Sequence, residues 1–194
     1  LVSNLGDWLD FLALAVLIAY EWDRGPGSLA ALAVTIAIPW AFIAPVSGAL
    51  ADRWPKRPVM VAADLARAAL VLGLVFAPNI WVLLPIVFAK TVCSTLFGPA
   101  EQATIRATVP EDDLLAANSL SQLATQATKV VGPALGGLIV AVWTPRVAFA
   151  VDSATFLVSA AFLSRLPRLE VSPEEDEAGT LLGELRAGLA YIAQ

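Results

Sequence analysis

Apolar residues fill this chain in long runs separated by short polar breaks, and the runs have the length of membrane crossings. A spanning helix needs about 20 mainly apolar residues. Six stretches meet that requirement, at about 5–20, 29–51, 59–76, 80–97, 119–142 and 147–166. The second has no charge, and its Pro39 and Pro45 are compatible with a helix whose neighbours satisfy the freed carbonyls. Glycine and charge over 21–28 predict a turn between the first two spans, and Pro78-Asn79 separates the third from the fourth. The polar stretch 98–118 predicts a long loop, whereas residues 143–146 allow only a short turn between spans five and six. Beyond 166 an acidic linker over 167–179 precedes Leu181, Leu182, Leu185, Leu189 and Ile192. That spacing predicts a short amphipathic helix lying in the membrane interface.

Composition agrees with the pattern. Of 194 residues 58% are hydrophobic and 15% charged, with a mean hydropathy of +0.75. That is more apolar surface than a soluble domain of this length can hide. The fold class is therefore an all-α polytopic membrane protein. Residues 1–166 are expected to form the six-helix bundle, and 167–194 the cytoplasmic linker and helix leading to a second half outside this chain. With no His and a single Cys93, a Ser-His-Asp triad, a His/Cys zinc site and an intramolecular disulfide are excluded. No metal or cofactor is expected, and no nucleophile and base stand at a spacing that suggests an enzyme. The net charge of -5 comes from Glu170, Glu174, Glu175, Asp176 and Glu177, without which 12 acids balance 12 bases, so it points to no nucleic-acid partner.

Lys and Arg in the loops set an orientation. Arg53, Lys56, Arg57, Arg106, Arg165, Arg168 and Arg186 fall on one side, and only Arg24 and Arg146 on the other. By the positive-inside rule both termini of the segment are expected in the cytoplasm. Trp54, Trp81 and Trp143 near span ends fit an interfacial belt, while Trp40 inside span two has two placements open to it, lining a cavity or packing on a neighbouring helix, of which packing is the expected one.

Charges inside a membrane are costly, which makes each a functional candidate. Asp64 and Arg67, three apart on span three, share a helix face and are expected to form a structural ion pair. Lys90 stands alone in span four. Gln122, Gln126, Lys129 and Pro133 fall on one face of span five, and the first three, with Lys90, are expected to line a water-filled cavity. Asp152 in span six is the deepest lone carboxylate, expected either to pair with a helix outside this segment or to take up and release a proton. Asp7 and Asp10 lie near the start of span one, where simple solvation accounts for one of them. Asp152, Asp7 and Asp10 are the proton-coupling candidates. Gly132, Gly136 and Gly137 allow close helix packing beside a kink at Pro133, either as ordinary small-residue packing or as part of a coupling device. Gly48, Trp54 and Arg57 reappear as Gly137, Trp143 and Arg146 at a constant offset of 89 residues, as an inverted repeat would place them.

The stretch Gly48-Ala-Leu-Ala-Asp52-Arg53-Trp-Pro-Lys56-Arg57 resembles the loop between helices two and three of the major facilitator superfamily. It reads as a conformational-switch loop formed by Gly48, Asp52, Arg53, Lys56 and Arg57, with Gly48 allowing close helix approach; a plain positive-inside anchor is the alternative. Pro55 replaces the glycine usual there. Residues 97–105, 109–114 and 117–120 are similar to the segment between helices four and five of that superfamily's multidrug, macrolide and siderophore exporter branch, and 149–159 to its sixth helix. Gly132-Pro133-Ala-Leu-Gly136-Gly137 is similar to the end of the antiporter signature, with Thr128 and Ser119 where that signature has earlier glycines. Lys90 stands where the superfamily often carries a buried Arg that influences proton exchange.

The resemblance implies the N-terminal six-helix half of a transporter, built as a three-plus-three inverted repeat in the bacterial inner membrane. It implies proton-coupled efflux of a small organic molecule such as a drug, macrolide or siderophore. Its partners would be that substrate, protons, the lipid bilayer and the C-terminal six-helix half of the same protein. A lysophospholipid or other solute carrier of the same superfamily is the alternative, and a non-transporting membrane sensor or assembly partner is the alternative of another class. The 194 residues are accordingly expected to be a fragment.

Overall fold

The computed structural model describes residues 2–166, and all regular structure among them is helical. The linker and amphipathic helix expected over 167–194 lie outside the described residues. Span one is α1 (Val2–Val16), continued by a π-helical turn over Leu17–Glu21. Asp23, with φ 47°, turns the chain in the left-handed region that Asp tolerates better than most residues. Span two starts with Pro26 at the first helical position of α2 (Pro26–Ile38), where its missing N–H costs nothing. It then passes through a π turn at Pro39–Ile43 into α3 (Ala44–Arg53). Pro39 explains that turn: its ring displaces the preceding carbonyls, and the wider bonding from the Ala44 N–H to the Pro39 carbonyl takes up the extra residue.

Span three is α4 (Lys56–Val75). Span four is α5 (Ile80–Thr108), capped by Asn79, whose side chain accepts from the Val82 N–H at 3.2 Å. Here the expected loop over 98–118 is corrected. The helix runs through Pro99 and ends at Thr108, and after a 3-10 turn over Glu111–Asp113 the next helix, α6 (Leu114–Val142), begins. Polarity does not stop a helix, and Glu101, Gln102, Ala103 and Ala107 favour one. What stops α5 is Pro110, which holds Val109 in the extended region at φ −100°, ψ 132°. Span six is α7 (Pro145–Leu163), again with Pro at its first turn.

Among the described residues six segments are therefore long and apolar enough to cross a membrane: Val2–Glu21, Pro26–Gly48, Lys56–Val75, Ile80–Thr108, Glu111–Val142 and Pro145–Leu163. Their packing obeys a three-plus-three exchange. Span one packs on spans five and six, and span four, its counterpart, packs on spans two and three; spans three and six, which exchange with each other, also pack together.

The main core joins Leu9, Leu14, Leu32, Val71, Leu83, Val87, Phe149 and Phe156 from five of the six spans. The α1–α6 seam is closer than side chains permit: a Cβ on Gly132 would lie 2.6 Å from the Trp8 Cβ, and one on Gly136 would lie 2.7 Å from the Leu9 carbonyl oxygen. Gly137 meets the Leu12 Cδ2 at 3.3 Å. Gly48 differs, since no described heavy atom lies within 4 Å of its would-be Cβ; the close helix approach expected there is not found among the described residues. Trp54, Trp81 and Trp143 are exposed.

Candidate functional site

Charged side chains from four spans meet in the middle of the bundle. From α4, Arg67 donates to the Asp64 carboxylate of its own helix and reaches the Asp7 Oδ2 of α1 at 3.5 Å. From α5, Lys90 extends its Nζ to 2.8 Å from the Asp7 Oδ1 and donates to the Asp10 Oδ2 at 2.6 Å. From α7, the Asp152 Oδ2 stands 3.9 Å from the same Nζ. Asp10, Asp64, Arg67, Lys90 and Asp152 are all buried, whereas the Asp7 side chain remains 27% exposed. The two carboxylates expected near the interface are thus both in the network, and Asp7 is the one open to solvent.

Asp152, for which a partner outside the segment and a protonatable carboxyl are the two expectations, has as its nearest cation among the described residues Lys90, within the segment. The pairing is incomplete, however. The Asp152 Oδ1 accepts from the Thr155 hydroxyl at 3.1 Å, but the Oδ2 has no hydrogen-bond partner among the described residues and is wholly buried. Among the described residues four carboxylates face two cations, so the fully ionised network would carry two uncompensated negative charges in a low-dielectric interior. Protons, or a cation from outside the network, can meet that surplus.

Residues that carry no charge set this geometry. Gly6 of α1 faces Asp152: a Cβ there would overlap the Asp152 Oδ1 and the Thr155 Oγ1, so only glycine lets α7 bring its carboxylate against the α1 backbone. Ser153 donates to the Ala68 carbonyl at 2.9 Å, tying α7 to α4. The Arg67 guanidinium lies 4.5 Å from the ring centroids of both Phe97 and Phe156.

The network borders a cavity of about 380 Å³. Asp7, Asp10 and Lys90 form its charged wall; Trp8, Phe11 and Trp40 supply aromatic surface, and Asn4, Thr91, Ser94 and Thr125 further polar groups. Trp40 is 52% exposed and lines this cavity, the alternative placement, in preference to the packing expected of it. Gln122, Gln126 and Lys129 are exposed and stand outside the wall of this cavity, to which α6 contributes Thr125. The reason is rotational. The glycine face at Gly132 and Gly136 is pressed against α1, and from its midline those three side chains lie roughly 40 to 100° round the helix. Thr125 lies on that midline.

In the basic loop, Lys56 is buried and Arg57 donates to the Ser164 carbonyl beyond the end of α7. Asp52 and Arg53 belong to the last turn of α3.

The sequence family described as "Transmembrane secretion effector" matches residues 1–194, the whole chain. The "Uncharacterized MFS-type transporter YfiS" of Bacillus subtilis (strain 168) is 31% identical over 194 residues, covering 98% of this chain and 46% of that protein. The "Putative bacilysin exporter BacE" of the same organism is 32% identical over 179 residues, covering 91% of this chain and 44% of the relative. "Macrolide efflux protein A" of Streptococcus pyogenes is 24% identical over 191 residues, 94% of this chain and 47% of the relative. The chain thus spans a little less than half the length of these relatives. Six helices of spanning length, charges gathered at their centre and a match over the full length lead to one conclusion: the chain belongs to the transmembrane secretion effector family, within the major facilitator superfamily of transporters.

Proposed function

We propose that this chain is the N-terminal six-helix half of a proton-coupled exporter of a small organic molecule, acting in the bacterial inner membrane with both termini of the segment in the cytoplasm. The observation that carries the reading is the Asp152 carboxylate. It is wholly buried, one oxygen has no hydrogen-bond partner among the described residues, and it stands just beyond hydrogen-bond reach of a lysine already held by Asp7 and Asp10. A proton on Asp152 removes one of the surplus negative charges, and its release lets Lys90 shift toward the freed carboxylate. Because Lys90, Asp10 and Asp7 also form a wall of the cavity, such a shift changes the charge that a bound molecule meets.

The second six-helix half closes the cavity from its open side, and rocking of the halves exposes it alternately to each face of the membrane. The exposed Gln122, Gln126 and Lys129 fit contact with that half or with water better than contact with lipid. Gly48, Asp52, Arg53, Lys56 and Arg57 act as the switch loop: Arg57 ties the start of α4 to the end of α7, so movement at this loop reaches the helix that carries Asp152. The macrolide and bacilysin in the relatives' names are the first substrates to try.

The test is the full-length protein in proteoliposomes, assayed for substrate-driven proton movement with a panel headed by a macrolide and bacilysin. Wild type should move protons in response to substrate. Asp152→Asn should insert normally and lose at least ten-fold of that movement. Unchanged flux in the variant removes Asp152 from the mechanism. Proton movement with no member of the panel counts against transport and for a sensor or assembly role.

A further inference from the structure

Phe156 has its ring within reach of both buried cations. Its ring centroid is 4.5 Å from the Arg67 Cζ and 5.8 Å from the Lys90 Nζ, and the side chain is wholly buried. It follows Asp152 by one helical turn on α7, so one face of that helix delivers both the carboxylate and the ring to Lys90. The two cations depend on the ring unequally. Arg67 also has Phe97 at 4.5 Å and two carboxylates, and it is held from several sides without Phe156. Lys90 is a compact charge on a flexible stem, bound at 2.6 Å to Asp10 and at 2.8 Å to Asp7 of α1, the two carboxylates whose charge also faces Asp152. Toward α7 it meets two attractions, the electron-rich face of Phe156 and the Asp152 carboxylate at 3.9 Å. A cation over an aromatic ring and an ion pair closing from 3.9 Å to contact are of the same order in energy, so the ring competes for the ammonium.

We propose that Phe156 is a positioning residue for proton exchange: its ring holds the Lys90 ammonium off Asp152 while that carboxyl carries its proton, and gives up the ammonium when the proton leaves. The ring thereby sets the pH at which Asp152 releases its proton. This rests on the reading of Asp152 as the proton site, and the experiment separates the two.

The full-length protein in lipid nanodiscs is titrated by infrared spectroscopy, following the C=O band of the protonated carboxyl that Asp152→Asn removes. Phe156 is replaced by mono-, di- and trifluorophenylalanine, which withdraw electron density from the ring face at nearly constant size. Lys90 then leans further toward Asp152 and favours its ionised form. The midpoint should move stepwise to lower pH, by about 0.4 to 1.5 units across the series. The same series at Phe97, which faces Arg67, should leave the midpoint where it was. A constant midpoint through the Phe156 series, or an equal shift from the Phe97 series, overturns the role of Phe156 and leaves Asp152 as the proton site. A band that survives Asp152→Asn overturns the assignment of Asp152, and this inference with it.

Discussion

Gly6→Ala is the smallest perturbation that reaches the proposed proton site without touching a charge. The new methyl carbon would overlap the Asp152 Oδ1 and the Thr155 Oγ1 and lie 3.0 Å from the Asp152 Cγ, so the carboxylate must withdraw from α1 by about 1 Å. The Lys90–Asp152 separation is 3.9 Å. With an effective dielectric of about 20, its attraction is about 4.3 kcal/mol, falling to about 3.4 kcal/mol at roughly 4.9 Å. That loss of about 0.9 kcal/mol is opposed by relief of the repulsion from Asp10 and Asp7, which lie on α1, so the perturbation is read from packing and not from titration. Overpacking of the α1–α7 seam should cost about 1 to 3 kcal/mol of stability. Thermal unfolding of the full-length protein in detergent reads it. Unchanged thermal stability would show that α1 and α7 are not in the contact described, and the argument for Gly6 would fail.

The α1–α6 seam gives a paired contrast: Gly136→Ala meets the Leu9 backbone oxygen at 2.7 Å and should cost about 1 to 3 kcal/mol, whereas Gly137→Ala meets the movable end of Leu12 at 3.3 Å and should cost well under that, both read from folded yield and thermal unfolding. The orientation is checked by cysteine labelling in a Cys93→Ser background. Pro78→Cys, exposed between α4 and α5, should react with an impermeant thiol reagent from outside intact cells, and Arg106→Cys, exposed near the end of α5, only after permeabilisation; the reverse pattern would invert the topology.

The number of spans and most of their limits were legible because a bilayer imposes one length and one polarity on every crossing, and a linear sequence displays both. The Asp64–Arg67 contact was legible for a related reason, since residues three apart on a helix are neighbours whatever surrounds them. The helical course of 98–108 was not, because apolar periodicity marks where a helix meets a core or lipid and says little about one that continues into polar surroundings. Asp152 shows the limit most clearly. Its lack of a sequence neighbour suggested a partner beyond the chain, yet the lysine beside it is 62 positions earlier, brought there by the packing of α7 against α1 and α4. Gly6, Thr125 and Phe156 carried no separate signal, for a glycine, a threonine and a phenylalanine in apolar helices look like any others. The polar stripe of Gln122, Gln126 and Lys129 was real as a helix face, but which way it turned depended on where Gly132 and Gly136 found their neighbour. Sequence determined which residues share a helix face, because that follows from backbone geometry; tertiary packing decided which faces meet, and with them the company that each buried charge keeps.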